Sequence, residues 1–107
     1  MVVEFDSVQS TSPEPGVTRR IIARGGELMA VHVSFEKGAV GSIHKHPHEQ
    51  VSYVVSGSLE YYEGGKKCVI RTGDSYFVPA NVEHGVVALE DSVLLDIFTP
   101  QREDFLK

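Results

Sequence analysis

Tryptophan is absent from this 107-residue chain, cysteine occurs once, and 10 Lys and Arg face 15 Asp and Glu. Each shortage closes off a class of function. A lone Cys68 forms no internal disulfide, so the expectation is a reducing, cytoplasmic compartment. On its strand Cys68 reads as a small buried hydrophobe rather than a nucleophile. A formal net charge of −5 argues against nucleic acid or an anionic membrane as partner. No apolar run reaches membrane-spanning length, and the N-terminus lacks the basic-then-apolar pattern of a secretion signal. The length fits one domain, residues 1–107, with room for one core.

Helical periodicity is missing as well. Apolar residues alternate or cluster in short runs, the pattern of strands. Val2–Phe5 reads as a short strand reaching a partner subunit, and Gln9 to Gly16 as a polar loop. Strands are then expected at 17–23, 28–35, 51–55, 59–63, 66–71, 75–78, 85–89 and 93–99. Gly64-Gly65 marks a tight hairpin, because both turn positions of such a loop need positive φ. Residues 85–89 and 93–99 are expected to pair across Glu90-Asp91-Ser92, and the tail from Arg102 to form one helical turn. So many short strands in one small domain predict an all-β, antiparallel sandwich or barrel.

What is present in excess is histidine in one place. Four of the five histidines lie in or near two segments, His44-Lys-His46-Pro-His48-Glu49-Gln50 and Val82-Glu83-His84. Side chains alternate along an extended chain, so His44, His46 and Gln50 project to one side. Imidazoles with an amide oxygen suit zinc, copper, iron or nickel. His84 follows another strand and is a further candidate ligand. Strict alternation puts Glu49 on the opposite face, Pro47 relegates His48 to the rim, and His32 reads as an ordinary strand residue. Three imidazoles and one amide leave a divalent ion its full charge, which fits a Lewis acid acting on an anionic substrate. The set matches the two-histidine, one-carboxylate iron site of oxygenases less well.

A second anomaly lies in Val93-Leu-Leu-Asp96-Ile-Phe98-Thr, where a carboxylate interrupts an apolar run. Such a group is costly to bury unless paired or used. Asp96 either forms a structural ion pair with Arg102 or acts as a general acid or base, with Arg102 gripping a substrate carboxylate. Arg19, Arg20 and Lys45 are further cations whose default is a solvated face.

The pattern Gly41-x-x-His44-x-His46-x-x-x-Gln50, ending at Gly57, resembles the first motif of single-domain cupins. Gly73-Asp-Ser-Tyr-Phe-Val-Pro79-x-Asn81-x-x-His84 resembles the second. Gln50 stands where many cupins have glutamate, Asn81 replaces the usual glycine, and Ala88 the usual late asparagine. With Arg20-x-x-x-x-Gly-Gly-x-Leu-Met and Asp96-x-Phe98-Thr-Pro-x-Arg102, the chain is similar to the uronate-linearising cupins of pectin degradation. The resemblance implies a double-stranded β-helix, or jelly-roll barrel, in a homodimer that pairs edge strands. It implies one divalent transition metal ion (nickel, zinc, iron or manganese) on His44, His46, Gln50 and His84, with Asp96, Phe98 and Arg102 catalytic. The implied substrate is a small anionic sugar, a 4,5-unsaturated monouronate, converted to its linear 4-deoxy-5-keto form. A carbohydrate-sensing cupin and an iron dioxygenase are the alternative readings.

Overall fold

β-Branched and aromatic residues fill segments with a two-residue burial period, and the fold is ten strands with no α-helix. The computed structural model describes residues 1–107. Its strands are β1 (Thr11–Glu14), β2 (Val17–Gly25), β3 (Leu28–Phe35), β4 (Val40–His44) and β5 (Glu49–Ser56). There follow β6 (Ser58–Glu63), β7 (Lys66–Arg71), β8 (Ser75–Val78), β9 (His84–Ala88) and β10 (Ser92–Thr99). Short 3-10 turns lie at Phe5–Ser7 and Glu103–Leu106, the latter the helical turn expected of the tail. No helix is long and apolar enough to cross a membrane.

The strands form two sheets, ordered β1-β2-β3-β10-β5-β8 and β4-β9-β6-β7, with antiparallel pairing throughout. This is the expected jelly-roll barrel. Met29, Val31, Val54, Leu59, Val78 and Leu94 meet between the sheets, nearly inaccessible to water. Each such side chain contributes roughly 1.5–3 kcal/mol by leaving water. At the β6–β7 hairpin Gly64 and Gly65 have φ of 56° and 89°, as the tight turn requires.

Four expectations fail, each for a local reason. Val2–Phe5 is no strand; instead the Phe5 ring packs edge-on against His32 at 4.8 Å. The polar stretch before Gly16 contains β1, which turns back onto β2. An edge strand buries little, so it needs few apolar residues and tolerates Pro13. Third, β9 and β10 do not pair with each other. β9 lies between β4 and β6 and β10 between β3 and β5, so Glu90-Asp91 carries the chain from one sheet to the other. Long-range partners there satisfy the same backbone groups while turning both apolar faces inward. Finally, Cys68 is exposed, because β7 is an edge strand of the smaller sheet.

Candidate functional site

Where β4 meets β9, Gly41 faces Val86 and His44 faces His84, so three steps on one strand match two on the other. The extra residue is a β-bulge, and it restores the inward direction of His44. The two imidazoles become cross-strand neighbours with ring centroids 4.5 Å apart. His46 lies beyond β4 in the connection to β5, held by Asn81, whose backbone N–H donates to the His46 carbonyl at 2.7 Å. Asn81 has φ 65°, a left-handed conformation that asparagine tolerates far better than most residues, which is why it can replace glycine there. Gln50 enters from β5, in the other sheet. The structure brings the four named residues together, but not by the expected route: no single extended face presents them.

The ligand-capable atoms of His44, His46 and His84 lie within 4.8 Å of one another, a cluster compatible with one divalent metal ion. Each ring is held by a carbonyl. Nδ1 of His44, His46 and His84 lies 2.8, 3.1 and 2.9 Å from the backbone oxygens of Ser42, His48 and Val82. A carbonyl only accepts, so each Nδ1 carries the hydrogen and each Nε2 is left with its lone pair. Burial, and next Arg102, push His46 down to about 4. Burial likewise lowers His84, so both buried rings favour the neutral form that leaves a lone pair for a cation. Gln50 Oε1 lies 3.0 Å from His46 Nε2 and 3.2 Å from His84 Nε2. Three acceptors thus converge with no hydrogen between them, an arrangement that a cation relieves. The residues fit the expected metal.

The rest of the site descends from strand register. Gln50 and Phe98 are opposite on β5 and β10, and so are Ser52 and Asp96, with Tyr76 of β8 beside Ser52. Gln50, Tyr76, Asp96 and Phe98 line a cavity of about 400 Å³ between the sheets, and Ser52 lies buried among them. Ser52 Oγ accepts from Gln50 Nε2 at 2.9 Å and donates to Asp96 Oδ1 at 2.5 Å. Burial raises the Asp96 carboxyl to about 6 against the opposing pull of Ser52 and Arg102. Burial, then Asp96, pushes the Tyr76 hydroxyl up. Phe98 is buried, edge-on to His46 at 5.6 Å.

Arg102 is buried near this carboxylate but does not form the ion pair with Asp96 weighed from sequence. It makes a bidentate pair with Asp104, Nε to Oδ1 at 3.1 Å and Nη2 to Oδ2 at 2.9 Å. Its guanidinium lies 5.0 Å from the centre of the Phe98 ring and 4.1 Å from that of Phe105. Arg19, on β2, stacks on the Phe105 ring at 3.8 Å and lines the cavity. Burial, then the charge of Arg102, lowers its pKa. Two guanidiniums and one exposed carboxylate therefore flank the mouth. Arg20 instead lies over Phe5, away from the site.

Sequence reasoning missed Ser52, Tyr76, Glu14 and Asp104. Glu14 holds the Ser42 hydroxyl and, at 3.0 Å, its backbone N–H, and so steadies the carbonyl that orients His44. Parity with Gln50 was the available signal for Ser52, and the two-residue spacing from Arg102 for Asp104; Glu14 and Tyr76 depend on contacts between distant strands. His48 is half-buried beside His46, ring centroids 5.4 Å apart, and neither it nor His32 lines the cavity.

The Cupin domain family matches residues 31–98. The pectin degradation protein KdgF of Dickeya dadantii is 50% identical over 93 residues, covering 85% of this chain and 84% of its own. KdgF from Halomonas sp. superposes with a TM-score of 0.92 at 41% identity, over 98% of this chain and 99% of that one. An RmlC-like cupin from Shewanella frigidimarina gives 0.92 at 40% identity, over 97% and 94% of the two chains. The match spans both the strands that supply the imidazoles and the strand that supplies Asp96, so the chain belongs to the cupin family and, within it, is similar to KdgF.

Proposed function

We propose that this chain acts in pectin degradation, like the relative it resembles, as a metal-dependent isomerase of 4,5-unsaturated monouronates. Such sugars are the products of pectin or alginate lyases. His44, His46, His84 and Gln50 hold one divalent transition metal ion. When bound, that ion supplies Lewis-acid polarisation of substrate oxygens. The observation that carries the reading is a carboxyl at the cavity wall, Asp96, tied through one hydroxyl to the imidazole–amide cluster.

The reaction needs no water, oxidant or reductant. The substrate is a hemiacetal at C1 and an enol ether at C5, with its carboxylate on C5. Asp96 takes the proton of the anomeric hydroxyl. C1 becomes an aldehyde as its bond to the ring oxygen breaks, and the electron pair leaves with that oxygen as an enolate at C5. Asp96 returns a proton to C4, and C5 becomes the ketone. A carboxyl near 6 can both take and give a proton at neutral pH. Arg102, already fixed by Asp104, and Arg19 bind the substrate carboxylate through the planar fork suited to it. Phe98 and Phe105 pack on the ring and exclude water from the enolate.

The reading also takes the protein as cytoplasmic, in keeping with an exposed thiol that has no disulfide partner, and as a homodimer. Support for the dimer is an apolar patch on the outer face of the larger sheet. Phe77, Val51 and Ile97 stand in one row there, with Tyr53 and Leu95 in the next.

The test is to incubate metal-loaded protein with an unsaturated monouronate and follow loss of the ultraviolet absorbance of its conjugated C4=C5 bond. The rate should exceed the spontaneous reaction and collapse in His46→Ala and Asp96→Ala. No acceleration by protein with metal bound would replace the isomerase with a sensing cupin.

A further inference from the structure

Ser52 is wholly buried, polar and given no part in the chemistry above, yet it touches both halves of the site. It accepts a hydrogen bond from Gln50 Nε2 at 2.9 Å and donates one to Asp96 Oδ1 at 2.5 Å. A hydroxyl has one hydrogen, and a carboxylate only accepts. Once Asp96 takes that hydrogen, Ser52 shows Gln50 nothing but lone pairs. Only the amino end of the amide can face it. The amide oxygen is thereby turned the other way, to 3.0 Å from His46 Nε2 and 3.2 Å from His84 Nε2.

The opposite orientation is not neutral. Both imidazoles give their Nδ1 hydrogen to a backbone carbonyl, so their Nε2 atoms are acceptors. A flipped amide would lay its N–H groups on those lone pairs, satisfy them, and close the cluster to a cation. An amide, unlike a carboxylate, has a wrong way round. We infer that Ser52 is a positioning residue that holds Gln50 with its oxygen toward the imidazoles, the sense of the chain being set by the carboxylate of Asp96. This rests on the reading that His44, His46, His84 and Gln50 bind a metal ion. Its distinguishing consequence is that glutamate at position 50, both of whose oxygens accept, needs no such orienter.

Four proteins make the test: the wild type, Ser52→Ala, Gln50→Glu and the double variant. Nickel affinity is measured by competition with a chelating indicator, and the ligand field by visible absorption of the cobalt(II) forms. In the wild-type background Ser52→Ala should weaken nickel binding by about 10–100-fold, the usual cost of removing a group that orients a ligand. Its cobalt bands should shift. In the Gln50→Glu background the same change should bring no loss. Unchanged affinity of Ser52→Ala overturns the inference. So does an equal loss in both backgrounds, which would reduce Ser52 to packing. If Ser52→Ala does not fold, Ser52→Cys supplies the same comparison with a weaker donor and an intermediate expected loss. A wild type that takes up neither ion defeats the metal reading itself. A fifth protein, Gln50→Ala, binding as tightly as wild type would remove Gln50 from the ligand set and with it the role given to Ser52, leaving a metal held by the three histidines.

Discussion

At the scale of single residues, Asp96 has the most to lose and gain from its surroundings. Its side chain lies beneath the surface with one edge toward the cavity, and burial raises it from 3.8 to about 6. The fold thus favours the neutral carboxyl. Because the folded value lies above the unfolded one, the contribution to stability is fully present below about 3.8 and is lost as pH rises through about 6. At pH 8 the charged carboxylate costs on the order of 3 kcal/mol. Asp96→Asn should therefore stabilise the metal-free protein toward urea at pH 8, by up to about that amount, and hardly at all at pH 4. The same variant keeps one side-chain oxygen to accept from Ser52, and should retain metal and lose turnover. Full turnover in it would remove the acid–base role, whereas an unchanged urea midpoint at pH 8 would show that the charge is solvated.

At the scale of elements, the β4–β9 pairing does what no single residue can. A bulge between Gly41 and His44 directs His44 at His84, and glycine at 85 lets the strands close. A Cβ on Gly85 would meet the Gly41 carbonyl oxygen at 2.8 Å and the Ile43 Cα at 3.1 Å, both backbone atoms that must move together. Gly85→Ala should push β4 outward, displace His44, and lower metal affinity about tenfold or more. Isothermal titration with zinc measures this. An alanine variant that binds zinc as the wild type does would mean that β4 has slack. Strand parity explains what was readable here. Residues 28–35 and 66–71 were visible as strands because their sequences punctuate them with turns. β1 was not, since a polar edge strand carries no apolar alternation, and the β9–β10 crossing was not, since a short connection looks like a hairpin whichever sheet it enters.

At the scale of the whole molecule, the two sheets meet through the site as much as through the core. His44 and His84 belong to the smaller sheet, Gln50, Ser52 and Asp96 to the larger. The outer apolar patch is the other whole-molecule feature. Phe77 is half-exposed, and Val51 and Tyr53 are similarly open to solvent, beyond what scattered surface residues need. Size-exclusion chromatography with light scattering should find a dimer for the wild type and a monomer for Val51→Asp with Phe77→Asp. A wild-type monomer at micromolar concentration would discard the homodimer.

The sequence alone determined the all-β barrel, the histidine cluster and the odd carboxylate in an apolar strand. Those signals are local: a two-residue period, turn glycines, and residue types whose burial needs a reason. Tertiary structure decided how they join. It turned His44 inward through a bulge, drew Gln50 and His84 together from different sheets, gave Arg102 to Asp104 rather than Asp96, and set Ser52 between amide and carboxylate. Register between distant strands fixes these contacts, and register is a property of the packed sheets that no short stretch of sequence contains.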